Sequence, residues 1–162
     1  MSLKVSCLIN YIGRKDKKEN IKKFYLQYRK NKVLVNKWFA TQIQYSTPKL
    51  ALGRLRELTT HSDFNMFNPN NFHSVIGTFA KRNFHAFHQE DGCGYKEIAD
   101  WIKKIDPENP QIAASTTKAF MQIKFLPKTY RTKAKASLNA LSNGNNLSKD
   151  TSEILNKIEA SL

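Results

Sequence analysis

The chain has 162 residues, a length that suits one domain burying roughly two-thirds of its unfolded surface, and its 40% hydrophobic and 25% charged content is ordinary for a soluble globular protein. The outlier is charge: 27 Lys and Arg against 13 Asp and Glu give +14, which favours anionic partners and equally fits a segment cut from a larger, better balanced protein. No apolar run approaches the ~18 residues of a membrane span and the N-terminus shows no secretory segment, so the expected location is cytoplasmic, with Cys7 and Cys93 as reduced thiols rather than a disulfide framework.

Taken in order, Met1 to Leu3 read as an expression scar, and Leu3, Val5, Leu8, Ile9 and Ile12 make a short helical stripe that stops at Gly13. From Asp16, Ile21, Phe24, Tyr25 and Tyr28 recur at helical spacing while Lys17, Lys18, Lys22, Lys23 and Arg29 fall mostly on the opposite side. Residues 1 to 31 hold nine Lys or Arg and two acids, so half the net charge sits in a fifth of the chain; a solvated helix face is the plain reading. Val33, Leu34, Trp38 and Phe39 form the next apolar face. Thr47 and Pro48 then mark a cap and first helical position for a helix buried through Leu52, Leu55 and Leu58, in which Gly53 would permit close helix contact.

Asn68 and Pro69 repeat that start, and Phe72, Val75, Ile76 and Phe79 follow the i, i+3, i+4, i+7 pattern without exception. A turn at Asp91 to Gly94 precedes a helix through Tyr95, Ile98, Ala99, Ile102 and Ile105, stopped by Asp106 and Pro107. Asn109 and Pro110 open another, carrying Ile112, Ala113, Phe120 and Ile123 as far as Pro127. Tyr130, Ala134, Leu138 and Leu141 mark the next; after an Asn/Gly break at 143 to 146, Ser148 caps a last helix burying Ile154, Leu155, Ile158 and Leu162. No segment alternates with period two. The expected fold is therefore all-α: eight or nine helices stacked as antiparallel pairs in an irregular α-solenoid, since no strict repeat period is visible.

The candidate chemistry is sparse. His85 and His88, three apart and followed by Glu90 and Asp91, could share a helical face, but a zinc peptidase needs HExxH, in which i, i+4 spacing aims both imidazoles at the metal and the glutamate activates water; HAFH has neither. Cys93 between two glycines fits a tight turn as well as it fits a nucleophile, and GCG lacks the pattern of a phosphate-binding loop. The basic segments 14 to 30 and 124 to 135 interleave Phe24, Tyr25, Tyr28, Phe125 and Tyr130 with cations, a composition compatible with nucleic acid. Those aromatics nevertheless sit at the spacing of core residues.

NKWFATQ (36 to 42), FNMFNPN (64 to 70), VIGTFA (75 to 80), NFHAFHQEDGCGY (83 to 95), IDPENPQIA (105 to 113) and NLSKDTSEILNKI (146 to 158), in this order and at these separations, resemble the C-terminal helical domain of bacterial aminopeptidase N, the zinc-dependent alanyl aminopeptidase family. The match runs over about residues 32 to 162, with 3 to 31 fitting more loosely. The resemblance implies a right-handed α-superhelix of antiparallel helix pairs, HEAT/armadillo-like, forming a single domain over 1 to 162 of a larger enzyme. It implies that this domain closes over the catalytic domain and walls the cavity through which peptides reach the zinc.

The same resemblance implies a cytoplasmic parent that removes N-terminal residues from peptides, with catalytic and N-terminal domains of one polypeptide as partners. Zinc and the HExxH and GxMEN motifs belong to those domains; neither motif occurs here, so no catalytic residue, metal ligand or cofactor is expected in this chain. Gln111 matches a cavity-facing glutamine. Two arginines of the family fall at His73 and Ser115, which removes fixed positive charge from that side of the cavity, a loss that a protonated His73 would partly restore. His88, Glu90, Asp91, Gly92 and Gly94 are expected to hold the structural turn beside a packed Phe84–Phe87 pair. The alternative reading is a basic helical-repeat module that binds nucleic acid.

Overall fold

A computed structural model describes residues 17–143 and 146–161. The stripe from Leu3 to Ile12, its stop at Gly13, Cys7 and Leu162 lie outside them. Among the described residues every regular element is helical: α1 Lys17–Tyr28, α2 Lys32–Gln44, α3 Pro48–Thr59, α4 Pro69–Phe72, a π-helical turn His73–Gly77, α5 Thr78–Arg82, α6 Phe84–Phe87, α7 Cys93–Ile105, α8 Pro110–Thr117, a 3-10 segment Lys118–Phe125, α9 Lys128–Ser142 and α10 Lys149–Glu159. Most elements pack on a near neighbour in the chain. α1 lies on α2, α2 on α3 and the π turn, α3 on α6, α6 on α7, α7 on both α8 and α9, and α10 on α8.

The helix starts follow their sequence signals. Asn31, Asn68, Asn109 and Ser148 accept backbone N–H bonds from the first turns of α2, α4, α8 and α10, and Pro69 and Pro110 occupy first-turn positions where the missing N–H costs nothing. Thr47 occupies the cap position of α3 without a side-chain bond. Gly53 faces open space rather than a neighbouring helix, so it does not serve close packing. Without a side chain there, it instead helps to line an open groove with Tyr45 and Leu50.

One buried cluster runs through the described residues, with Phe39, Ile43, Leu55, Phe72, Phe79, Phe87, Tyr95, Ile102 and Phe120 fully covered. Burying a side chain of that size contributes roughly 1.5–3 kcal/mol relative to exposure. Two stretches read as single helices depart from α geometry. The run Asn68 to Ala80 is an α–π–α sequence, although all four residues of its pattern, Phe72, Val75, Ile76 and Phe79, are fully buried. The run from Asn109 tightens to a 3-10 helix at Lys118, just after Thr116 and Thr117 donate their hydroxyls to the carbonyls of Ile112 and Ala113. Such back-bonding bends helices. In the tighter helix residues three apart eclipse, which keeps Phe120 and Ile123 together in the core.

Polar side chains stitch the elements together. Trp38 Nε1 donates to the Ile21 carbonyl at 2.9 Å, tying α1 to α2. Asn83 Nδ2 donates to the carbonyls of Ile43 and Ser46 at the end of α2 while its Oδ1 caps α6. Asp106, which the sequence presents as a helix stop, is 2% exposed; its carboxylate accepts the Ser148 N–H at 2.7 Å, the Ser148 hydroxyl at 2.6 Å and the Thr151 hydroxyl. The end of α7 is thereby fastened to the start of α10. Asp106→Ala leaves three donors without an acceptor and should cost about 3 kcal/mol or more, with Asp106→Asn roughly half as severe, both read as urea midpoints.

Candidate functional site

The residues singled out by sequence fall on two adjoining grooves and one turn. A groove of about 560 Å³ lies between α2 and the π turn; Val33, Lys37 and Ala40 come from one side, His73, Gly77 and Lys81 from the other, and Ser115 from the last turn of α8. His73 and Ser115 therefore share a site. Gln111 is exposed and lines a neighbouring depression of about 310 Å³ with Ser115, Lys118, Asp150 and Glu153. Ser115 is the residue common to both.

The π turn positions His73. Thr78 donates from both its N–H and its hydroxyl to the His73 carbonyl, the hydroxyl at 3.2 Å, which closes the widened turn. Gly77 makes room for the imidazole: a Cβ there would stand 2.9 Å from His73 Nδ1 and 3.3 Å from His73 Cβ. Burial first, and Lys81 second, hold the His73 pKa below its ordinary value, so the ring is neutral at pH 7. That direction runs against the expectation that a protonated His73 restores charge.

The charge comes from Lys81 instead. Its Nζ donates to Ser115 Oγ at 3.2 Å, and desolvation followed by the nearby Lys118 ammonium lowers its own pKa. The groove therefore carries a cation although neither position 73 nor position 115 is an arginine. Lys81 was not singled out from the sequence, although 73, 77 and 81 follow i, i+4, i+8 and so lie along one helical face.

The EDGCGY turn is built as follows. Gly92 has φ +76°, the left-handed region that glycine enters without a Cβ clash, and a Cβ on Gly94 would meet the Phe87 carbonyl oxygen at 2.4 Å. Asp91 Oδ1 accepts the Cys93 N–H at 2.9 Å. Burial, then Asp91, pushes the Cys93 thiol up to about 11, which leaves it protonated and unsuited to nucleophilic attack at neutral pH. Glu90 reaches away from the turn backbone, toward the Tyr130 hydroxyl at 3.5 Å. Phe84 and Phe87 do not form a pair: Phe84 is exposed and Phe87 buried, with His88 between them at 4.4 and 4.8 Å.

His88 Nδ1 and the Tyr95 hydroxyl share a hydrogen bond of 2.9 Å, and burial drops the His88 pKa to about 4. His85 is exposed and turned edge-on to Phe84. Among the described residues no group of three His, Cys, Asp or Glu could hold a metal ion. The described residues do not fit a zinc site. Of the interleaved aromatics, Phe24 is buried and Tyr25 and Tyr28 pack on the core, but Phe125 is 74% exposed with Lys124 Nζ 5.0 Å from its ring centre. Its core spacing is overridden because the 3-10 segment ends there and Leu126 turns extended.

Two outcomes are expected. Because His88 is neutral in the fold and protonates near 6.5 when unfolded, its contribution is fully present above pH 6.5 and is lost as pH falls from there toward 4. Melting scans across that window should show a fall of roughly 2–4 °C per kcal/mol lost, reduced in His88→Gln. Gly77→Ala normally stabilises a helix by about 1 kcal/mol; here the imidazole should cancel that gain, and combination with His73→Ala should recover it in the same scans.

Comparison with known proteins places this architecture. A family model described as "Domain of unknown function (DUF3458_C) ARM repeats" matches residues 2–160. The chain is 34% identical over 131 residues to aminopeptidase N of Escherichia coli and 37% identical over 103 residues to that of Caulobacter vibrioides, covering 81% and 64% of this chain. It spans about 15% and 12% of the length of those relatives. A crystal structure of Legionella pneumophila aminopeptidase A in complex with aspartic acid superposes with a TM-score of 0.84 at 26% identity, over 99% of this chain and 18% of that one. The all-helical stack of packed pairs, matched along almost its whole length, belongs to the DUF3458_C ARM-repeat family, the C-terminal helical domain of aminopeptidase N.

Proposed function

We propose that this chain is the non-catalytic C-terminal domain of a cytoplasmic zinc aminopeptidase N that removes N-terminal residues from peptides. It closes over the catalytic domain of the same polypeptide and walls the cavity that peptides cross. The observation that carries the reading is the match over residues 2–160 to a domain that makes up only about 15% of aminopeptidase N relatives. A chain of that proportion has its partners in the remaining length. Gln111, His73 and Ser115 lie along the peptide path in this reading, supported by their placement on two adjoining grooves of one face.

The chemistry assigned to the domain is binding and confinement. Its neutral imidazole, hydroxyl and amide can hydrogen-bond a passing peptide, while bond cleavage and the zinc belong to the catalytic part. Excess positive charge on this piece is balanced, in the same reading, by surfaces of the parent.

Zinc-supplemented assays with an alanyl chromogenic substrate test the division of labour. The intact polypeptide should turn over and lose activity to a chelator, whereas the purified 162-residue chain should not; turnover that scales with the isolated chain would overturn it. Steep salt-dependent binding of the intact polypeptide to single-stranded or duplex nucleic acid, abolished by charge reversal at Lys22, Lys23 and Arg29, would favour the nucleic-acid module instead.

A further inference from the structure

Between Glu108 and Asp150 the chain contains no Asp or Glu, while six cations, Lys118, Lys124, Lys128, Arg131, Lys133 and Lys135, fall within the 3-10 segment and the first half of α9. Lys118 shares a depression with Asp150 and Glu153, and Lys128 and Lys133 share a hollow with Glu90. One carboxylate against two ammonium groups leaves an excess of positive charge on that side. The ion pairs among the described residues join Lys23 to Glu19, Arg54 to Glu57, Arg56 to Glu97 and Lys157 to Glu153, and none of them involves this stretch.

The same stretch turns apolar side chains outward. In the 3-10 segment Ala119, Phe120 and Ile123 enter the core, which leaves Met121, Lys124 and Phe125 exposed. Phe125, at 74%, is the most exposed of the large hydrophobic side chains described, and Lys124 Nζ stands 5.0 Å from its ring centre. Only Leu126 and Pro127 separate Phe125 from Lys128, and the 3-10 segment packs on α9. Along α9, Lys128, Thr132 and Lys135 are exposed at i, i+4 and i+7, the spacing of one helical face. An exposed apolar centre is thus bordered by cations that no described carboxylate balances.

We propose that the face built by Met121, Lys124, Phe125 and Lys128 docks an acidic protein surface carried by the same polypeptide outside these 162 residues. The proposal rests on the reading of this chain as one domain of a longer enzyme for the place of the partner, and on the exposed face for its chemistry. An apolar centre with a charged rim is the anatomy of a protein interface, and complementary charge fixes its register and rejects wrong partners. The exposed Tyr45 and Leu50 differ, because they share their groove with Arg54 and Glu57, which pair with each other. A second copy of this chain would oppose one cationic face with another. Single-stranded nucleic acid prefers successive aromatic rings for its bases; here Met121 has no ring, and the Tyr130 hydroxyl is turned toward Glu90.

The test is maleimide labelling of Phe125→Cys in the intact polypeptide, read at that site by peptide mass spectrometry and compared with the rate in urea. Native labelling should be about tenfold slower or more. Adding Lys124→Glu and Lys128→Glu should remove most of that protection, as should raising salt from about 0.1 M to about 1 M, whereas Lys124→Arg with Lys128→Arg should keep it. Native labelling at the urea rate would overturn the docking face, and so would protection that survives the charge reversal, since an apolar cover alone then suffices.

Protection that grows with protein concentration would assign the face to a second copy, and protection that appears only on adding oligodeoxythymidylate would assign it to nucleic acid; either result overturns the proposal. Alanyl peptidase activity of the unsubstituted polypeptide, measured alongside, separates the two failures. Activity without protection of position 125 sinks the docking face alone. Charge-dependent protection without activity supports the face and counts against the enzyme reading only.

Discussion

The buried carboxylate of Asp106 is the constraint on which the C-terminal half depends. It sits at the end of α7 and accepts three hydrogen bonds from Ser148 and Thr151 at the start of α10, so two elements more than forty residues apart share one polar anchor. A carboxylate removed from water is costly unless its acceptor capacity is used. Here that requirement dictates where α10 begins. Since α10 packs on α8, the anchor also fixes the helix that carries Gln111 and Ser115.

The N-terminal half uses the same device with amides. Asn83 satisfies the last carbonyls of α2 and caps α6. Asn71 accepts from the Asn65 N–H and donates to Asn36, joining α2 to the loop before α4. These bonds bracket the π turn on both sides. A widened turn exposes backbone groups that an α-helix would satisfy, and it persists where surrounding contacts over-determine it. The result is a wall on which His73 is held neutral against Gly77 while Lys81, one helical face further on, carries the charge.

The grooves thus set an open surface of mixed polar and apolar lining on a scaffold held by these bonds. At the turn, the protonated Cys93 and the half-buried, neutral His88 look reactive in sequence but are held by the fold in their unreactive forms.

Much of this was readable from residues. Helical periodicity and the Asn-Pro starts located most of the helices, because an apolar face must be buried whatever it packs against, and serial motifs led to the family. The glycines of EDGCGY marked the turn for reasons internal to the backbone. What the sequence could not decide depended on neighbours distant in the chain. The π turn and the 3-10 segment keep the same apolar spacing as an α-helix, so the pattern does not distinguish them; Phe125 follows core spacing and is exposed because its segment ends there. Asp106 reads as a helix stop until Ser148 and Thr151 are brought to it. Lys81 reads as one more cation among 27 Lys and Arg until folding places it against Ser115 from another helix, where a hydroxyl and its own desolvation give it a local chemistry. Local periodicity is a property of the chain, whereas the protonation and partners of a side chain belong to the assembled surroundings.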